Sequence, residues 1–227
     1  MSGGTLEPNA YGRQLTADEI VDGAHRDFIG GMWETMGEMQ LAFLQAQGLR
    51  PDHTLLDIGC GALRGGVHFI RYLAAGNYYG LDINASLIAA ANHELQVEGL
   101  LDKQPHLLVD SLFEAHRFGQ RFDYAIAQSV FTHLPMNHII RCLVETQRVL
   151  APGGTLFATF FEAPASAHLG QVAHAPGEIV TSYDQDPYHY SVDEFHWMAA
   201  AAGLTLHPIG DWNHPRAQRM LSFSLPA

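Results

Sequence analysis

Three aspartates stand at or just beyond the tips of short apolar runs: Asp57 in Thr54 to Ile58, Asp82 after Tyr78 to Leu81, and Asp110 after His106 to Val109. A carboxylate at the tip of a buried strand can attract a cationic group or accept both hydroxyls of a ribose. Around the first of them runs Leu55-Leu56-Asp57-Ile58-Gly59-Cys60-Gly61-Ala62-Leu63-Arg64-Gly65-Gly66. Glycines there allow a tight turn and let the backbone come close to a ligand. The dinucleotide fingerprint G-x-G-x-x-G would need glycine at position 64, where Arg64 stands. Asp57 would also repel a pyrophosphate, so the loop suits a cationic ligand group and not a dinucleotide.

The elements that would position these acids follow from the patterning. Unbroken apolar runs at 54 to 58, 78 to 81, 106 to 109, 124 to 127 and 155 to 161 alternate with helical periodicity at 65 to 73, 85 to 98 and 137 to 150. Short runs of this kind fit strands buried on both faces, and strand-helix alternation gives an α/β doubly wound parallel sheet. Doubly wound sheets bind ligands at the carboxyl edge, where all three acids would lie. Upstream, residues 1–15 read as a flexible arm. Residues 16–49 form a helical cover, beginning with the N-cap Thr16 and the early acids Asp18 and Glu19 and continuing with a helix over 32 to 47. Residues 162–190, rich in Pro, Gly, His and Tyr, are too long for a simple connection and read as a lid over the substrate. A helix over 191 to 202, capped by Ser191 with Glu194 three residues on, and strands at 204 to 209 and 219 to 225 complete a single domain, 16–227.

Together with Phe122-Asp123-Tyr124-Ala125-Ile126-Ala127-Gln128-Ser129 and Leu150-Ala151-Pro152-Gly153-Gly154, these motifs resemble the class I S-adenosylmethionine-dependent methyltransferases over about residues 50 to 160. Gly31, Trp33, Gly37 and Gln40, with Leu63-Arg64-Gly65-Gly66, look like a bacterial branch acting on small molecules. The resemblance implies a Rossmann-like sheet of seven mostly parallel strands, order 3-2-1-4-5-7-6 with strand 7 antiparallel, and S-adenosyl-L-methionine as cofactor. It implies that Gly59 and Gly61 wrap the methionine part and Asp57 helps hold its amino group. Asp82 would take the ribose, Ile83 would pack on the adenine, Asp110 and Ser111 would read the adenine edge, and Gln128 would lie beside the sulfonium. Arg64 is either a partner for the cofactor carboxylate, whose geometry a guanidinium matches, or an exposed residue of the first helical turn.

Methyl transfer needs a nucleophile held near the methyl in a dry pocket, with acid/base help where the acceptor is a hydroxyl. The candidate bases are His133 after the fourth strand, His189 in Asp186-Pro187-Tyr188-His189-Tyr190, and His214 in Trp212-Asn213-His214-Pro215. Each also has a structural reading. Tyr188 and Tyr190 would line a lid over an acceptor, or anchor the loop. Trp33 and Gln40, seven residues apart, share one helical face and touch the substrate or only pack.

A metal site is not expected, since no H-E-x-x-H or cysteine-pair spacing is present; only a set assembled by folding from Asp186, His189 and His214 stays open. No Asn-Pro-Pro-Tyr turn and no Pro-Cys nucleophile occur, which favours a small-molecule hydroxyl as methyl acceptor, with small-molecule nitrogen next. Protein or RNA methylation and a non-catalytic cofactor-fold module are the rival readings.

Of 227 residues, 24 are acidic and 12 basic, a formal charge of -12 that opposes a nucleic-acid partner. Lys103 is the lone lysine, so Schiff-base chemistry has one candidate. Cys60 and Cys142 are too few for a disulfide framework. With no signal-peptide pattern and no apolar run of spanning length, a cytoplasmic protein without a membrane partner is expected. The oligomeric state is open, a homodimer included.

Overall fold

The computed structural model describes residues 12–226. Helices α1 (Ala17–Val21), α2 (Ala24–Phe28) and α3 (Trp33–Ala46) lead into β1 (Leu55–Ile58), α4 (Gly66–Tyr72), β2 (Tyr78–Asp82), α5 (Ala85–Val97) and β3 (His106–Val109). Then come β4 (Phe122–Ala127), α6 (Met136–Val149), β5 (Leu150–Glu162), β6 (Val172–His174), β7 (Ile179–Thr181) and β8 (His189–Tyr190). The chain ends with α7 (Val192–Ala201), β9 (Thr205–Gly210) and β10 (Arg219–Ser224).

The sheet runs β3-β2-β1-β4-β5-β10-β9, parallel as far as β5, with β10 antiparallel to both neighbours. This is the expected order, the penultimate place being taken by the last strand in sequence. Side chains that alternate along each strand feed two cores. Leu56, Ala125, Leu156 and Leu221 pack with Ile139 and Leu143 of α6 and Phe195 of α7. Leu55, Ile126, Phe157 and Met220 face Met36 and Leu44 of α3 and Phe69 of α4 on the other side.

Several details differ from the sequence expectations. The helical periodicity from Thr16 to Phe28 resolves into two short helices, because Gly23 adopts a left-handed φ of 80° between them. Strand β5 starts five residues earlier than expected: a register shift against β4 absorbs Ala151 to Gly154, and a side chain at Gly154 would lie 2.6 Å from the Phe122 carbonyl. The connection 162–190 contains a β6–β7 hairpin, and β8 pairs in parallel with the end of β5.

Of the arm expected at 1–15, residues 1–11 lie outside the described residues. Residues 13–15 are fastened down: Leu15 N–H donates to Ser86 Oγ, Ser86 N–H to Gln14 Oε1, and Asn84 Nδ2 to the Arg13 carbonyl. Among the described residues, no helix is long and apolar enough to cross a membrane.

Candidate active site

The parallel register brings the strand-end acids to one edge. Asp82 is the last residue of β2, and the Asp110 N–H donates to the Asp82 carbonyl at 2.9 Å, while Asp57 pairs with Gly80 two residues further in. After β1 the chain turns through Gly59 and Gly61, with φ of 69° and 54°. A side chain at Gly59 would come within 2.6 Å of Val130 Cγ2, so the glycine loop and the segment after β4 touch at a point where only hydrogen fits. The Gly61 N–H donates to Asp82 Oδ2 at 2.9 Å, and Asp82 Oδ1 accepts from Asn84 N–H at 2.8 Å. Burial raises the Asp82 carboxyl above its ordinary range against these bonds.

Asp57 is buried, and the Tyr78 hydroxyl donates to its Oδ2 at 2.7 Å. Desolvation pushes the carboxyl up to about 7, with the nearby Asp82 adding to the effect and the Tyr78 bond and Arg64 opposing it. Sequence reading missed Tyr78. Its signal is Gly66: a side chain there would lie 2.7 Å from the Tyr78 hydroxyl, so the second glycine of the pair makes room for this contact.

Asp110 differs from the role expected of it. One carboxylate oxygen accepts from Leu112 and Glu114 N–H, and the other pairs with Arg117 at 2.9 Å. Burial opposes its ionisation, but these partners outweigh that and hold it below the usual carboxylate range. The group shapes the loop after β3, and Ser111 beside it is exposed. Ile83 presents an apolar side chain, 66% exposed, just past the end of β2. Arg64 is neither an idle surface residue nor aimed solely at a ligand, since it donates to the Ile29 and Gly31 carbonyls and so ties the helical cover to the glycine loop.

Beyond β4 lies a buried polar cluster that the sequence had flagged only at Gln128 and His214. Gln218 Oε1 accepts from Thr159 Oγ1 at 2.7 Å and from Ser129 Oγ at 3.0 Å. His214 Nδ1 accepts from Arg216 N–H, and its Nε2 lies 3.2 Å from the Gln128 Nε2. Desolvation, with Arg64 and Arg216 adding to it, lowers His214 to about 4, so the ring is neutral at pH 7. One terminal atom of the Gln128 amide is buried with no hydrogen-bond partner among the described residues.

The three histidines are not equivalent. His189 is fully buried; its Nδ1 accepts from Thr181 Oγ1 at 2.7 Å and its Nε2–H donates to the His168 carbonyl at 2.8 Å, an arrangement that anchors the connection 162–190. His214 has its base nitrogen committed to Arg216. His133, on the turn after β4, pairs through Nδ1 with Asp186. Asp186, His189 and His214 do not converge, and no group of three or more potential ligands for a metal occurs among the described residues.

Of the expected substrate contacts, Tyr190 donates its hydroxyl to the Leu134 carbonyl and packs on Phe195, and burial raises it well above its ordinary range. Trp33 is covered by the Arg26 guanidinium at 4.6 Å and packs in the cover with Leu15 and Ile20. Gln40 is buried against Gly65, where a side chain would lie 2.4 Å from its Oε1. Tyr188 is half-buried and, like Tyr190, lines a cavity.

A family model described as a methyltransferase domain matches residues 56–156. A probable methyltransferase, LtbC, of Aspergillus luteorubrus is 27% identical over 124 residues, which are 52% of this chain and 43% of that protein, so the match spans less than half the length of this relative. Among solved structures, the CcbJ methyltransferase of Streptomyces caelestis superposes with a TM-score of 0.68 at 17% identity, covering 96% of this chain and 98% of that one. Magnesium protoporphyrin IX methyltransferase of Synechocystis, solved with bound S-adenosylmethionine, gives 0.62 at 16%, covering 96% and 88%. The sugar N-methyltransferase KedS8 of a Streptoalloteichus species gives 0.64 at 16%, covering 100% and 99%.

Proposed function

We propose that this chain is a class I S-adenosylmethionine-dependent methyltransferase that binds S-adenosylmethionine at the carboxyl edge of its sheet and methylates a hydroxyl of a small molecule. The observation that carries the cofactor reading is Asp57. A buried carboxylate held by one hydroxyl, with no ion-pair partner among the described residues, is costly unless a cation arrives. The amino group of the cofactor is such a cation. Gly59 and Gly61 would wrap the methionine part, Asp82 would hold the ribose, and Ile83 would give the adenine an apolar face. The loop that Asp110 shapes, with Ser111, would border the adenine edge, and the Gln128 amide would sit by the sulfonium. Arg64 would add positive potential for the cofactor carboxylate while keeping the cover closed.

The bound cofactor supplies an electrophilic methyl; the protein supplies position and dryness. Arg64 ties the cover to the glycine loop, and Val130 packs against Gly59 from the other side. A hydroxyl acceptor must release a proton as the methyl arrives, and His133, paired with Asp186, is the histidine suited to take it. His189 has both nitrogens engaged, and His214 is too weakly basic.

Calorimetry with S-adenosylhomocysteine tests the cofactor reading. Wild type should bind, and Asp82→Ala should bind at least about tenfold more weakly, having lost the acceptor that also orders Gly61. Absence of binding by wild type removes the reading. A screen of phenols, sugars and amines for methylated product tests the acceptor class, and conversion of amines alone overturns the hydroxyl assignment.

A further inference from the structure

A cavity of about 320 Å³ lies between the connection 162–190 and the start of α6, walled by Pro135, Met136, Tyr183, Asp184, Tyr188 and Glu194, with His168, His189 and Tyr190 behind. It is distinct from the glycine loop, none of whose residues lines it.

The lining has one chemical character. Two phenol rings, Tyr183 and Tyr188, stand with the carboxylates of Asp184 and Glu194, and neither Lys nor Arg is among the lining residues. Asp186 and Asp184 act on Tyr188 electrostatically: after burial, they are what raises its hydroxyl. Glu194 is partly committed, capping α7 and meeting His168 Nε2 at 3.2 Å, whereas Asp184 is exposed. Aromatic faces beside carboxylates attract cations.

We propose that the cavity binds a protonated organic amine, the ammonium lying between the Tyr183 and Tyr188 rings and Asp184. The site stands on the cavity alone and does not depend on methyl transfer.

The test uses the full chain without cofactor and reads binding by ligand-observed NMR and calorimetry. Cyclohexylammonium, cyclohexanol and cyclohexanecarboxylate have one ring size and differ in charge. The ammonium should bind, weaken about fivefold or more in Asp184→Asn and in Tyr183→Leu, and weaken with salt. Both substituted residues are exposed, and thermal melts matching wild type confirm that the variants fold. No binding of the ammonium, equal binding of cyclohexanol, or unchanged affinity in Asp184→Asn would overturn the proposal.

Discussion

The Tyr78 hydroxyl donates to Asp57 Oδ2 at 2.7 Å with both side chains buried, so the first aspartate of the site is held ready by a phenol that is not itself a ligand. The Asp57 carboxyl is raised from 3.8 to about 7. Between those values the unfolded chain has given up the proton while the folded one keeps it. Folding stability from this group therefore falls as pH rises through that window, by a few kcal/mol on the order of magnitude of such shifts. Asp57→Asn should flatten this slope in urea melts between pH 4 and 8 while abolishing S-adenosylhomocysteine binding. Tyr78→Phe should cost about 1–3 kcal/mol by leaving a buried acceptor unpaired.

Gly59 carries two constraints, a left-handed φ and the Val130 contact. Gly59→Ala should lower stability by about 1–3 kcal/mol. Adding Val130→Ala removes the steric part alone, so a double-mutant cycle should return a favourable coupling. Strict additivity would mean that the two segments do not press on each other.

The cover is pinned by Glu94, which is buried, accepts from Arg26 through both oxygens at 2.8 Å and contacts His25 Nε2 at 2.6 Å. Burial opposes its ionisation, but His25 and Arg26 outweigh that and lower it to about 2. This contribution is present above the ordinary glutamate range and is lost as pH falls through the folded value. Glu94→Ala should cost about 2–4 kcal/mol. Trypsin should then cut at Arg26 well before the sheet is attacked, and equal cutting rates would deny the clamp.

His133→Asn should reduce turnover of the hydroxyl acceptor about a hundredfold at saturating cofactor. Asp186→Asn should lower kcat without changing S-adenosylhomocysteine affinity, because Asp186 holds the His133 ring. Full turnover in His133→Asn would end the base assignment.

The legible part of the molecule was whatever lies within one strand or one turn. Buried strands announced themselves as apolar runs, and the glycine loop as glycines with an aspartate at the strand tip. What escaped depends on contacts between distant segments. Tyr78 reaches Asp57 from 21 residues away, and nothing local marks it beyond Gly66. The hairpin of β6 and β7 has three residues per strand, too few for a period to show, and it is held by a chain from His174 Nε2 through Thr181 to His189. Asp110 is legible as a strand-end acid, but its partner Arg117, seven residues on, carries no local mark.

Arg216 donates to the Gly30 carbonyl across 186 residues of sequence, joining the loop before the last strand to the cover of the first. This contact sets an order on biosynthesis. A nascent chain has the glycine loop and all three strand-end aspartates by Asp110, yet this contact on the cover forms only once Arg216 has been made. Until then β5 also lacks its neighbour β10, leaving a long edge unpaired. The segment from Arg216 to Ser224 thus both pairs the β5 edge and ties down the cover, so the two are completed together.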